Sequence, residues 1–107
     1  MAGMPDVDVF GALANPVRRQ LLDALRDGPL PAGELAGRFT LSRPAVSEHL
    51  AVLRNARLVT EEPRGRQRYY HLAAEPLAEV TEWLQPFEQF WRGRLTALRD
   101  FVEGEDL

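Results

Sequence analysis

Residues 31–72, PAGELAGRFTLSRPAVSEHLAVLRNARLVTEEPRGRQRYYHL, constrain this chain more than any other stretch. They read as two short helices, a sharp turn between them, and then a basic hairpin. The second helix is the better marked. Ser42 is a favourable N-cap, and Pro44 falls in the first turn, where a missing N–H costs nothing. Val46, Leu50 and Leu53 then follow at i, i+4 and i+7, a single apolar stripe. These signals predict a helix over 43–55, with Arg43, Ser47 and Arg54 on its polar face. The first helix, over 31–38, has Leu35, Ala36 and Phe39 as its apolar side.

Two strand-like runs come next, 58–62 and 67–72, joined by Pro63-Arg64-Gly65-Arg66, good turn chemistry for a hairpin. Strand alternation predicts that Arg64, Arg66 and Arg68 share one side of the ribbon, with Tyr69 and Tyr70 just behind.

Upstream, residues 1–5 read as a flexible tail. A short apolar helix is expected over 7–14, capped by Asp6, with Val9, Phe10 and Leu13 on one face. Asn15-Pro16 starts a helix over 16–26 that turns Val17, Leu21, Leu22 and Leu25 inward and Arg18, Arg19 and Asp23 outward. Gly28-Pro29 ends it. Downstream, 75–103 keeps helical spacing through Leu77, Val80, Trp83, Leu84, Phe87, Phe90, Trp91, Leu95, Leu98, Phe101 and Val102. Pro86 predicts a kink, or a break into two helices, near Leu84-Gln85.

The 107 residues suit one small domain with a limited core, and chains this short often complete a core by pairing with a second copy. A net charge of −3 argues against nucleic acid until its distribution is considered. Residues 38–68 carry seven arginines against three acids, whereas residues 75–107 carry eight acids against three arginines. Such asymmetry points to a basic face that meets an anion and an acidic part held away from it. All 13 basic residues are arginine, which forks onto phosphates and guanines better than lysine. With no cysteine, disulfides and thiolate metal sites are excluded. No segment approaches the roughly 18 apolar residues of a membrane span, and the N-terminus has no charged leader. A cytoplasmic protein is expected.

A helix entering the major groove needs short and polar side chains near its N-terminus, with phosphate donors around it. Residues 42–49 meet that need. Arg43 can fork onto a guanine edge, Ser47 allows close approach, and Glu48 can accept from a cytosine amino group. An ordinary amphipathic helix with a solvated face accounts for the same residues about equally well. His49 either reaches a phosphate or a base, or packs beside Leu50. Metal binding by His49 or His71 is disfavoured, since neither has a ligand partner at suitable spacing. A basic tip placed after this helix pair can straddle a phosphate backbone or enter the minor groove. Five of the nine aromatic residues lie in the last helix, at Trp83, Phe87, Phe90, Trp91 and Phe101. A homodimer interface ranks first for this stripe, an internal core second and a ligand pocket third. No catalytic constellation is present, and the chain is not expected to be an enzyme.

FGALANPVRRQLLDALRDGPLPAGELAGRFTLSRPAVSEHLAVLRNARLV, followed by GRQRYYHL, resembles the ArsR/SmtB family of bacterial winged helix-turn-helix repressors, over about residues 9–102. The resemblance implies a mainly α fold with a small β-hairpin wing, dimeric through the first and last helices. It also implies DNA reading by the helix starting at Ser42. By position, base contacts fall on Arg43, Pro44, Ser47 and Glu48, and phosphate contacts on His49, Arg54, Arg64, Arg66 and Arg68. Metal-sensing members carry thiolates where this chain has Glu34-Leu35-Ala36-Gly37, or histidine and acid pairs on the last helix, and neither occurs. The likeness is closer to members without a metal site.

The expectation is therefore a homodimeric, sequence-specific repressor without cofactor or metal. It would bind a pseudo-palindromic DNA operator and pair through Phe10, Leu13, Trp83, Leu84, Phe87, Phe90, Trp91, Leu95, Leu98 and Phe101. Two alternatives stand beside it. One is a ligand-responsive regulator with an apolar pocket between the first and last helices. The other is a winged-helix adaptor that uses Tyr69, Tyr70 and the wing to bind protein instead of DNA.

Overall fold

The computed structural model describes residues 7–105, the last without its side chain; the expected tail and the Asp6 cap lie outside them. Helix α1 is Val9–Leu13, and its cap is Asp8, whose Oδ1 accepts from the Gly11 N–H at 2.9 Å. It is shorter than the expected 7–14, and Ala12 joins Val9 in the core while Phe10 faces away. Helix α2, Pro16–Ala24, opens on Asn15, whose Oδ1 accepts from the Val17 and Arg18 N–H groups. It tightens into a 3₁₀ turn over Leu25–Asp27, and Gly28 closes that turn at φ 145, a conformation suited to glycine.

Strand β1 is only Leu30–Pro31. It takes Pro31 out of the expected helix, so α3 is Ala32–Phe39. Thr40, at φ 55, closes α3 with its N–H on the Ala36 carbonyl. Helix α4 is Arg43–Asn55, the predicted span, and the Ser42 Oγ accepts from the Ala45 N–H. Its stripe lies in the core: Val46, Leu50 and Leu53 are buried together with Leu21, Leu25, Leu35 and Leu58.

Strands β2 (Val59–Arg64) and β3 (Gln67–Leu72) complete a three-stranded antiparallel sheet in the order β1-β3-β2. β2 runs further than expected. Arg64 pairs with Gln67, so the connection is two residues, Gly65-Arg66, with Gly65 at φ 60. The register places Pro63 opposite Arg68 and Glu61 opposite Tyr70. Val59 and Tyr70 on that face are buried, which makes it the inner side of the ribbon.

Helix α5 is Leu77–Glu105, continuous through Pro86. The expected division into two helices is absent. Proline deprives only the Glu82 carbonyl of a donor, and residues 81–87 are exposed, so water can hydrate the orphan group. Leu77 and Val80 pack against the core, and Trp83 meets the Phe10 ring edge-on at 5.9 Å. Beyond that α5 projects. The radius of gyration is 18.1 Å, against about 13 Å for a compact chain of similar length.

Candidate nucleic-acid interface

Capping by Ser42 and burial of the Val46, Leu50 and Leu53 stripe fix the rotation of α4 about its axis. Arg43, Pro44, Ser47 and Glu48 are consequently exposed together near its N-terminal end. The wing rises beside this end. Between them lies a cleft of about 320 Å³, lined by Pro31, Ala32, Gly33, Arg43, Ser47, Arg66, Gln67, Arg68 and Tyr70. Three guanidinium side chains thus edge one concavity, together with a serine and the start of α3.

Gly33 makes room there. A Cβ at position 33 would stand 3.3 Å from the Arg43 Nη1 and 3.6 Å from its Cζ. A side chain at 33 would require the guanidinium to give by a few tenths of an ångström. This role went unseen in the sequence because Gly33 touches Arg43 only after α3 and α4 are folded onto one another.

The three wing arginines do not share a side. With a two-residue connection, residues 64 and 67 face each other and share a face, so 64 and 68 fall on opposite faces. Arg68 lies on the inner side and lines the cleft, whereas Arg64 lies on the outer side and Arg66 forms the tip. Arg64 stacks over Tyr69, 4.4 Å from the ring centroid, and pairs with Glu62 at 3.0 Å. The other Glu62 partner is His71, whose Nε2 is 2.7 Å from the same Oε1. The hydrogen bond from His71, then that from Arg64, hold the Glu62 carboxyl below the usual carboxylate value.

On the inner face one oxygen, Glu61 Oε1, accepts from Arg54 at 2.9 Å and from Arg68 at 3.0 Å. It thereby ties the end of α4 to the wing. Tyr70 lies opposite on β3; burial, followed by the interaction with Glu61, pushes its hydroxyl above the ordinary value. Because Tyr70 is buried, it cannot serve the surface of a protein adaptor, and only Tyr69 of the pair retains partial exposure.

His49 is half-buried, its Nδ1 3.4 Å from Arg18 Nη1. Arg18, expected to face outward, instead turns back over α1. Its Nε donates to the Ala12 carbonyl at 2.7 Å and its Nη2 to the Gly11 carbonyl at 3.1 Å. Arg19 donates to the Leu13 carbonyl. Two arginines therefore cap the carbonyls at the end of α1, where positive charge also suits the helix dipole. The alternation of polar residues in LANPVRRQ conceals this, since it depends on α1 folding back beside α2.

The second exposed surface is apolar. Trp83, Phe90, Leu95, Leu98 and Phe101 expose 57–69% of their surface, and Phe10, Leu84, Phe87 and Trp91 expose 36–42%. Leu13 is half-buried beside the core. Between the starts of α1 and α5 an open hollow is lined by Val7, Asp8, Val9, Arg57, Pro76 and Glu79, and a smaller, mainly apolar one joins Leu13 of α1 and Leu77 of α5 through Leu22 and Leu72. The described residues contain no group of three or more histidine or acidic residues able to hold a metal, and no helix long and apolar enough to cross a membrane.

Comparison with known proteins decides the family. The description "Bacterial regulatory protein, arsR family" matches residues 15–61. The HTH-type transcriptional regulator Rv2034 of Mycobacterium tuberculosis is 43% identical over 94 residues, covering 88% of this chain and 85% of that one. The chain belongs to the ArsR family. The transcriptional repressor SdpR of Bacillus subtilis is 35% identical over 80 residues, covering 75% of this chain and 89% of that one. The crystal structure of an ArsR family transcriptional regulator superposes with a TM-score of 0.71 at 32% identity, over 86% of this chain and 97% of that one. This ArsR-family chain is a winged helix-turn-helix, DNA-binding transcriptional regulator, a class without enzymatic activity. Regulators of the family bind DNA operators and typically act as dimers.

Proposed function

We propose that the chain is a cytoplasmic, homodimeric repressor that reads a pseudo-palindromic operator without a metal ion. The observation that carries the reading is the cleft between α4 and the wing, where Arg43, Ser47, Arg66 and Arg68 converge. Arg43, Pro44, Ser47 and Glu48 meet base edges in the major groove, and Arg43 supplies the bidentate contact to guanine. Arg66 at the tip and Arg68 on the inner face hold phosphates, and Arg54 and Arg64 extend that grip. His49 acts through Arg18 to hold α4 against α1 and α2, and contributes a phosphate contact only from the edge of the site.

Dimerisation follows from α5. An apolar face this long is unusual on a lone small protein and marks an association site. Pairing through Phe10, Leu13 and the face from Trp83 to Phe101 sets two clefts about a two-fold axis, as a palindromic operator requires. Repression is favoured by the likeness to SdpR, a transcriptional repressor.

The test is binding-site selection from random duplexes, followed by a salt titration on the selected site. The wild-type protein should enrich a two-fold site and lose affinity steeply with salt. Arg43→Ala should relax the preference at one base pair per half-site, at a cost of about 1–3 kcal/mol. A selection that enriches nothing would refute the reading, and an unchanged preference in Arg43→Ala would remove that residue from base reading.

A further inference from the structure

Five arginines lie on α4 and the wing, and they fall into two groups. Arg54, Arg64 and Arg68 are each paired with an acid of β2. Arg43 and Arg66 form no ion pair among the described residues. Two adjacent acids thus pair with three guanidinium groups, from α4, β2 and β3. Glu61 is the more buried partner, its side chain 20% exposed against 47% for Arg54 and 66% for Arg68. The arginines therefore remain open to solvent above the carboxylate that holds them.

The geometry of these pairs resembles what a phosphate would offer. A carboxylate oxygen accepts from guanidinium donors at the distances a phosphate oxygen would take. An arginine that already has an anionic partner gains less from a phosphate than a free one. Its charge is also partly cancelled already, so it displaces fewer of the cations condensed on duplex DNA, whose release drives binding. We propose that Glu61 and Glu62 are internal counter-ions that stand in for phosphate on Arg54, Arg68 and Arg64, and so hold down the affinity of this face for duplex DNA of any sequence. The inference rests on the DNA-binding reading and adds a division of labour to it. Base reading belongs to Arg43, Ser47 and Glu48, which these acids do not touch. The acids instead weaken the sequence-independent grip that would keep the protein on random DNA.

A loosened wing and a released arginine give opposite results, so the two are separable. Binding of the full chain to a random-sequence duplex is measured by fluorescence anisotropy across a salt series. The variants are Glu61→Gln, Glu61→Asp, Glu62→Gln and, as a control for net charge, Glu79→Gln on α5. Glu61→Gln should bind about tenfold tighter at low salt and steepen the log–log salt slope by roughly one to two, since each phosphate newly neutralised adds about 0.9. Glu62→Gln should steepen it by about one. Glu61→Asp keeps the charge but is too short to reach both arginines, and should move in the same direction by less. Glu79→Gln should leave the slope unchanged.

Weaker binding with an unchanged slope in Glu61→Gln would overturn the proposal and make Glu61 a structural tie alone. Equal gains in Glu61→Gln and Glu79→Gln would overturn it in favour of simple net charge. If the wild-type chain binds no duplex, elution from immobilised heparin decides the point. Later elution of Glu61→Gln than of Glu79→Gln would sustain the counter-ion role while the DNA reading falls, and equal elution would end both.

Discussion

In the winged head, Leu21, Leu35, Val46, Leu53 and Leu58 have no exposed surface, whereas along α5 Trp83, Phe90, Leu95, Leu98 and Phe101 expose 57–69% of theirs. Both regions are built from amphipathic helices of ordinary composition. The difference is in what faces them. In the head, α2, α3, α4 and the sheet close around one another, and each apolar stripe finds its counterpart within the chain. Helix α5 meets the head only through its first turns, so the rest of its stripe has no internal counterpart. Fully burying a large apolar side chain is worth about 1.5–3 kcal/mol, and α5 leaves several such gains unrealised. The head is a finished core, and α5 carries an apolar stripe whose counterpart is not within the described residues.

The sharpest break of this comparison is in the head. Leu50→Ala should cost about 2–5 kcal/mol of stability in thermal or denaturant unfolding, because α4 cannot collapse into the void. A loss below about 1 kcal/mol would mean the head is loosely packed and the contrast with α5 false. Next comes α5 itself. The double variant Phe90→Glu with Leu98→Glu should weaken self-association by about 2 kcal/mol or more, roughly thirtyfold, as read by sedimentation equilibrium. Its head should still unfold cooperatively, with a Tm that no longer rises with protein concentration. An unchanged mass distribution would remove this face from the dimer interface.

Smaller effects sharpen the comparison within the head. Gly33→Ala should reduce discrimination at the base pair proposed for Arg43, by less than the roughly 1–3 kcal/mol of Arg43→Ala. Gly37→Ala, on the same helix but with nothing within 4 Å of the added Cβ, should not alter it. Equal behaviour of the two glycine variants in binding-site selection would show that position 33 does not seat Arg43. The smallest effect is on the outer face of the wing. Glu62 is held below its ordinary value by His71 and Arg64. A lowered carboxylate stabilises the fold above its unfolded value, and that contribution disappears as pH falls through the lowered folded value. The stability difference between wild type and Glu62→Gln should therefore be small near neutral pH and vanish in acid. A difference that grows on acidification would contradict the pairing.

Helix α4 was legible to the residue because three independent local signals coincide there: the Ser42 cap, Pro44 in the first turn, and the Val46, Leu50 and Leu53 stripe. The hairpin was legible as an element, but its arginines were assigned to the wrong sides. Which side an arginine takes depends on the number of residues in the connection, and PRGR allows more than one count. A single residue of register reverses every side chain beyond the turn. Strand β1, two residues beside proline, has no periodicity to detect and exists only because Leu30 and Pro31 lie against Tyr70 and Tyr69. Arg18, Gly33 and Glu61 were missed for one reason. Each acts on a residue that is distant in sequence or on another element, and local pattern carries no information about such partners.

The amino-acid sequence by itself determined the order of helices, the hairpin, the basic middle and the apolar last helix, because caps, prolines and hydrophobic spacing act over a few residues. Only the tertiary structure decided how the arginines divide. Packing of α4 against the sheet brings Arg54 and Arg68 onto Glu61 and leaves Arg43 over Gly33, since charges and close contacts depend on distance in space and not along the chain.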